Sequence, residues 1–326
     1  MPSLKEIKGR IASVNSTRKI TSAMKMVASS KLHHAQVAIE NMLPYEEMLE
    51  HILKTFLASD ADVRSIYVAE RPVKRVALIV YSSNSSLCGG FNANIIKEMQ
   101  KALEDYEHLG KENIVVYPIG RKVAEKVKKL GYNIAGNYNN LADKPNAQGC
   151  RDIAVELGGM YGRGEIDRVE MIYHHFKSAG SQILQRKNFL PIDLEEEVNT
   201  DSTRDLSSNI TTKVATREAV EYLRQRDINQ EAKKRENDAA PLNDNFIVEP
   251  DLDSVMNKLI PKLAHLMLYT ALLDSIASEH AARMVAMQTA TDNADEILRD
   301  LNLQYNKSRQ QAITSELLDI VGGSVN

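Results

Sequence analysis

The chain has 326 residues, of which 43% are hydrophobic and 26% are charged, and its formal net charge is −3. These values are typical of a soluble protein with one to three domains. No run of about 18 uncharged apolar residues occurs, so the sequence predicts no membrane-spanning helix. Residues 1–6 lack an apolar signal core and a transit-peptide pattern, so we expect a cytoplasmic or already processed product.

Cysteine and histidine spacing predicts no metal centre. Cys88 and Cys150 have no partner at metal-ligand spacing, and His33-His34 and His174-His175 lack companions at such a spacing. The sequence therefore predicts two buried free thiols rather than a zinc site or a disulfide scaffold, and it predicts no cofactor.

Residues 1–58 are predicted to form one long helix. The sequence Ser3-Leu4-Lys5-Glu6 fits a capping box, in which serine and glutamate side chains satisfy the first free amides of a helix. Residues 10–43 contain no glycine or proline, and Pro44 is expected to kink the helix without ending its period. Apolar or small residues recur along this helix at spacings of four and three and form a first row. A second, shorter row beside it consists of Ile20, Met24 and Val27. The first row is Ile7, Ile11, Val14, Thr21, Ala28, Leu32, Ala35 and Ile39.

The start of this helix is strongly basic. Residues 1–32 carry seven lysines and arginines against Glu6 alone. Such a helix fits nucleic acid, acidic lipid or an acidic protein partner, and a solvated helix face explains the charge equally well.

Residues 72–192 are predicted to form an α/β domain. Strand-like runs at 76–81 and 114–117 alternate with helical patterns, and two further strands at 169–176 and 182–190 are joined by Ala179-Gly180. This alternation predicts a mostly parallel, Rossmann-like sheet. Residues 193–248 form a variable polar excursion with a helical pattern over 214–224.

Residues 249–326 are predicted to form a second long helix. No glycine or proline occurs from Lys262 to Val321, and Gly322-Gly323 is a natural stop. A three-four apolar row runs through this stretch and predicts a coiled coil, roughly 90 Å long over its sixty residues. The row is Leu263, Leu266, Thr270, Leu273, Ala277, His280, Met284, Met287, Thr291, Ala294, Leu298, Leu301, Tyr305, Ser308, Ala312 and Ser315.

The two helices are expected to pack as an antiparallel coiled coil, because they flank one compact domain. The second helix is longer by about 15 residues, so its C-terminal end should project beyond the first. We name this end the apolar tip. Exposure of a cluster of apolar side chains to water is unfavourable, so we predict that another protein surrounds this end of the helix as a sleeve. The apolar tip consists of Ile313, Leu317, Leu318, Ile320 and Val321.

Several motifs resemble the gamma subunit family of F-type ATP synthases, and the resemblance covers nearly the whole chain outside 193–248. The motifs are KEIKGRIAS (5–13), TRKITSAMKMVA (17–28), SLCGGFN (86–92), SEHAARMVAM (278–287), ATDNA (290–294) and YNKSRQQAITSEL (305–317). The regulatory cysteine pair of the plant chloroplast form is missing, which argues against thiol control.

The resemblance implies a central rotor stalk that couples ion-driven c-ring rotation to ATP synthesis or hydrolysis at alpha and beta subunits. It implies a non-catalytic subunit of a proton-translocating complex, surrounded by three alpha and three beta subunits. The epsilon subunit and the membrane c-ring are the other implied partners, with no nucleic acid and no direct small-molecule substrate. The implied location is peripheral, on the cytoplasmic face of the bacterial inner membrane.

The resemblance also implies contacts between rotor and beta subunits. On the first helix it points to Met24. On the second helix it points to polar contacts through Arg283, Gln310, Thr314 and Glu316. A solvated or intra-coil role is the alternative for each of these side chains.

Two other classes of function remain open on the residues alone. The glycine turn in residues 85–92 follows a strand and precedes a helix, a place where phosphate binds in some enzymes. The turn lacks the GxxxxGK[ST] and GxGxxG patterns, so nucleotide binding there is disfavoured. A free-standing coiled-coil scaffold would explain the helices but not the intervening α/β domain.

Overall fold

The computed structural model describes residues 3–57, 65–193, 248–249 and 251–323. The chain divides into two compact units. We call Met1–Ser30 with Arg283–Asn326 the coil unit, and Lys31–Ala282 the sheet unit. Most of the polar excursion, including the helix predicted over 214–224, lies outside the described residues.

Two long helices account for both ends of the described chain. Helix α1 spans Leu4–Leu57 (54 residues) and α6 spans Leu252–Gly323 (72 residues), close to the predicted lengths. The amide of Glu6 donates to Ser3 Oγ at 3.2 Å, which is half of the predicted capping box. Helix α1 continues through Pro44 to its last residue.

In the coil unit the two helices pack antiparallel. Arg18 Nη1 donates to Asp295 Oδ1 at 2.9 Å, and the hydroxyls of Thr21 and Thr291 are 2.8 Å apart. Residue numbers therefore increase along α1 as those of the facing α6 residues decrease. Extending this register places Leu4 approximately opposite Arg309. The predicted row on α6 is buried as far as Leu301 except at the half-buried Thr291 and Leu298. It is half-buried at Tyr305 and Ser308, and exposed at Ala312 and Ser315. The α6 row is buried where it faces α1 and becomes exposed beyond the first residues of α1. This pattern confirms the predicted coiled coil.

The sheet unit is built on five strands in the order β3-β2-β1-β4-β5. The first four are parallel, and β5 pairs antiparallel with β4, so the predicted mostly parallel sheet is confirmed. The sequence patterns did not indicate the two-residue β3 or the short α4. The strands are β1 Val76–Tyr81, β2 Ile114–Ile119, β3 Asn133–Ile134, β4 Arg168–Ser178 and β5 Ser181–Leu190. The helices between them are α2 Phe91–Asp105, α3 Arg121–Leu130, α4 Asn139–Asp143 and α5 Ala147–Gly162.

Both faces of the sheet are covered, which explains the unbroken apolar run of β1. Alternate β1 residues Val76, Leu78 and Val80 pack with side chains of α2 and α3. The opposite face meets α5 and α6: Tyr117 Oη donates to Glu156 Oε1 at 3.1 Å, and Tyr81 Oη donates to the Leu268 carbonyl at 3.1 Å. A sheet buried on both sides reads as continuous hydrophobic strands.

A stretch of α6 within Ser254–Leu318 is as long and apolar as a membrane span. Some 72% of that stretch is buried inside the protein. The central part of α6 is apolar because it packs on α1 and on the sheet, as a core helix of a folded protein does.

Candidate functional site

The side chains predicted to contact beta subunits lie at two separate places on the coil unit. Arg283 and Gln310 are both on α6, about 40 Å apart along the helix axis. Thr314 and Glu316 lie near Gln310, and all three are exposed. The Thr314 hydroxyl donates to the backbone carbonyl of Gln310 at 2.9 Å. Gln310 and Thr314 form one polar patch, whereas Glu316, two positions after Thr314, points to another side of the helix. Arg283 belongs to a different level of the coil.

Arg283 is largely covered by its own chain. Only 8% of the residue is exposed, and it interacts with neighbouring groups. A buried guanidinium is held in place by the fold, so any partner would meet it as a fixed charge rather than a mobile one.

Met24 lies on an apolar strip of α1. It is half-buried, while Ile20 and Val27 on the same helix face are 60% and 58% exposed. The spacing of four and three puts these three side chains in one line. The second apolar row predicted on α1 is present here, but only the structure shows that it faces outward. Met26, two positions after Met24, is 64% exposed on another side of the helix.

The apolar tip is exposed where its side chains are described. Ile313, Leu317 and Leu318 are 49%, 58% and 66% exposed, and every residue from Arg309 to Leu318 is exposed. Ile320 and Val321 belong to α6, but their side chains lie outside the described set. Exposed leucines clustered at one helix end are typical of a surface that another protein covers.

The basic start of α1 is also directed to solvent. Lys5, Lys8 and Lys19 are exposed, and Arg10 pairs with Glu6 of its own helix at 3.4 Å. The cationic face and the apolar strip therefore share one helix, a combination that suits a partner with acidic and apolar surface.

Polar bonds join α6 to the two central strands of the sheet unit. His175 Nδ1 and Asp274 Oδ2 are 2.7 Å apart with both side chains buried, and Ser278 Oγ donates to the His174 carbonyl at 3.2 Å. Together with the bond from Tyr81 to Leu268, they tie α6 to β1 and β4 at three levels. Hydrogen bonds are directional, so these bonds resist sliding and rotation of α6 on the sheet. Apolar contact is non-directional and resists such movements only weakly.

The glycine turn at residues 85–92 is filled by its own side chains. Asn92 Nδ2 lies 3.1 Å from Cys88 Sγ and 2.7 Å from Ser83 Oγ, and Leu87 adopts a positive φ of 66° that turns its side chain outward. The polar side chains of the turn therefore bond to one another. Cys88 and Cys150 are buried free thiols, as predicted, and burial raises the pKa of Cys150 to about 12.

Comparison with known proteins decides the family. The family model described as ATP synthase matches residues 3–325. An ATP synthase gamma chain of Phocaeicola vulgatus is 52% identical over the full length of both chains, and one of Bacteroides thetaiotaomicron is 51% identical over the same span. The chain belongs to the ATP synthase gamma-chain family. As a gamma chain it is a central-stalk subunit of an F-type ATP synthase and not a catalytic subunit.

Solved structures share the fold of this gamma chain. The central stalk of the mitochondrial ATP synthase of Tetrahymena thermophila aligns with a TM-score of 0.52 at 24% identity, covering 83% of this chain and 99% of that one. A chain from the Euglena gracilis mitochondrial enzyme aligns with a TM-score of 0.59 at 16% identity, covering 99% and 93%. Two long helices around a mostly parallel sheet are therefore the gamma-chain fold.

A gamma chain is part of the F1 head, which is attached to a membrane complex. Its bacterial relatives extend across residues 193–248 as well, since the alignments cover the whole chain. These relatives therefore also have a segment that aligns with the polar excursion.

Proposed function

We propose that this gamma chain is the rotating shaft of its complex, turning inside a ring of three alpha and three beta subunits. Its sheet unit would be driven by the c-ring, with the epsilon subunit alongside, at the cytoplasmic face of the bacterial inner membrane. The exposed apolar end of α6 is the observation that carries the proposal. Leu317 and Leu318 expose more than half of their surface, and a ring of surrounding subunits would cover them.

A shaft must turn against its sleeve without being trapped in one position. Apolar contact is non-directional, so an apolar tip tolerates rotation, whereas a set of specific hydrogen bonds would hold one angle. A different face of the shaft meets each beta subunit as it turns, and this asymmetry imposes three different states on three similar sites.

The polar contacts would act at defined angles. We assign beta-subunit contacts to Met24 on the apolar strip and to the fixed charge of Arg283. On the exposed end of α6 we assign them to the patch of Gln310 and Thr314, and to Glu316 on another side of the helix. Because Arg283 is about 40 Å from the patch, the two would engage different levels of the ring.

Rotation of a labelled shaft tests the proposal. Both native thiols are buried, so Lys128→Cys on the exposed side of α3 provides a single reactive site for a visible probe. The labelled chain is assembled with alpha and beta subunits, which are fixed to a surface, and ATP is added. We expect unidirectional stepping of the probe.

The chain without the added cysteine is the labelling control and should carry no probe. ATP hydrolysis by the assembled complex with a stationary, firmly attached probe would refute the shaft role.

A further inference from the structure

A cationic cleft opens on the sheet unit. It lies between α1, the first turn of α5 and α6, and its volume is about 570 Å³. This volume is in the range of pockets that hold small organic molecules. Its walls come from three segments far apart in sequence, so no local motif marks it.

Positive charge dominates the cleft. Arg151 on α5 and Lys262 and His265 on α6 line it, and no aspartate or glutamate is among the lining residues. Burial and the charge of Arg151 lower the pKa of His265, which favours its neutral form, so Arg151 and Lys262 carry the positive charge of the cleft. In the described part of the chain, no carboxylate forms an ion pair with Arg151 or Lys262.

The N-terminus of α5 adds to this positive field. Ala147 and Gln148, the first two residues of this 16-residue helix, line the cleft. The side chain of Asn146 caps the helix by accepting a hydrogen bond from the Gly149 amide at 2.6 Å. This bond satisfies the third backbone amide of the helix and not the first two. Free amides at a helix start favour an anion, as the helix dipole does. Asp152 accepts a hydrogen bond from the side-chain amide of Gln148 at 2.7 Å, so this exposed carboxylate is engaged by a lining residue at the edge of the cleft.

The rest of the cleft is aromatic and apolar. Tyr45 is 52% exposed at the cleft wall, and Tyr269 is half-buried. Met42 and Leu266 also line the cleft and are buried. Two phenol rings together with apolar side chains provide a surface for a flat organic group, and the cleft is far larger than an inorganic phosphate requires.

We propose that this cleft binds an organic phosphate of nucleotide size. Its phosphate contacts Arg151, Lys262 and the first turn of α5, and its flat group rests against Tyr45 and Tyr269. The ligand is bound and not consumed, so it is an effector or a structural ligand of the stalk rather than a substrate.

ADP is the probe for the first test, using the purified full-length chain, which lacks the nucleotide sites of other subunits. Titration calorimetry at physiological ionic strength should detect one site. Arg151→Gln with Lys262→Gln should weaken ADP binding at least about 10-fold, because both charge-assisted contacts are lost. Both side chains are exposed, so the fold should persist, and urea unfolding checks this.

The matched control is Lys128→Gln with Lys129→Gln, which removes two exposed charges of α3 in the same unit. It should leave ADP affinity unchanged. An equal loss in both double variants would overturn the proposal, because it would indicate unspecific attraction. Absence of ADP binding would overturn it as well.

The flat group is tested by comparing ADP with pyrophosphate. ADP should bind more tightly, and Tyr45→Ala should weaken ADP while leaving pyrophosphate unchanged. Equal affinities for the two ligands would overturn the assignment to an organic phosphate.

The assembled complex provides the second test. Photolabelling with 2-azido-ADP, followed by peptide mapping, should mark gamma-chain peptides containing Tyr45 or Tyr269. Labelling of the isolated chain but not of the complex would overturn the proposal, since a partner subunit would then occupy the cleft.

Discussion

Buried histidines in the sheet unit show how single residues define the interior of this chain. His174 is 3% exposed and stacks on Phe91 with ring centroids 4.5 Å apart. Burial lowers the pKa of His174 to about 4, because the charged imidazolium would lose its hydration. The ring is therefore neutral at physiological pH, and its role is packing.

This histidine should make stability depend on pH. Its pKa is lower in the folded chain than in the unfolded one, so its stabilising effect is full above about pH 6.5 and declines as pH falls towards 4. The loss should amount to at most about 3 kcal/mol in urea unfolding. His174→Phe keeps a flat ring on Phe91 and should flatten the pH dependence between these values.

His108 is the matched control because it is an exposed histidine on the same unit. His108→Gln should leave the pH dependence of unfolding unaltered. If His174→Phe leaves it unaltered too, His174 does not titrate in this window.

Among the elements, helix α6 has one buried and one exposed face within a few residues. Leu301 is 8% exposed and belongs to the predicted apolar row, whereas Leu303, two positions later, is 69% exposed. Two residues correspond to about 200° around a helix, so the two leucines point in opposite directions.

These leucines form a matched pair of substitutions. Leu301→Ala should lower the free energy of unfolding by about 2–3 kcal/mol, because it removes buried apolar surface and leaves a cavity. Leu303→Ala should change it by less than about 0.5 kcal/mol. Similar values for both, measured on the isolated full-length chain, would mean that the coil does not bury this face.

The bonds between α6 and the sheet should matter for transmission as well as for stability. Asp274→Ala leaves His175 buried without its 2.7 Å partner, at an expected cost of about 1–3 kcal/mol. In the complex, we expect ATP-driven ion pumping to fall more than ATP hydrolysis does, because α6 is held less firmly on the sheet.

Asp300 is an exposed aspartate on the same helix, and Asp300→Ala is the control. It should change neither the free energy of unfolding nor the ratio of ion pumping to ATP hydrolysis. Equal losses of pumping and hydrolysis in Asp274→Ala would argue for a purely structural pair.

For the whole molecule, the question is what covers the apolar tip. In the isolated chain Leu317 and Leu318 are more than half exposed, so Leu317→Asp with Leu318→Asp should barely change its stability. In the complex the same change should uncouple hydrolysis from rotation or prevent assembly, since two charges would enter an apolar sleeve.

Gln311→Asp with Ser315→Asp adds the same charge to the same turns and is the control. It should have a much smaller effect on coupling, measured in reconstituted vesicles. Normal coupling in the leucine variant would show that the tip does not run in an apolar sleeve.

The sequence by itself determined the elements of this chain. An uninterrupted three-four row specifies a long amphipathic helix, and alternating strand and helix patterns specify a mostly parallel sheet, because these periods follow from local backbone geometry. The apolar character of the tip was equally legible, and so was the absence of metal-ligand spacing around Cys88 and Cys150.

Only the tertiary structure decided which apolar faces are covered. Ile20 and Val27 repeat as regularly as the buried row, yet they face outward, and Arg283 is buried although its residue type predicts exposure. The cationic cleft joins Tyr45, Arg151 and Lys262, which no local pattern connects. Periodicity defines the faces of a helix, but the neighbour that each face meets depends on packing between distant segments.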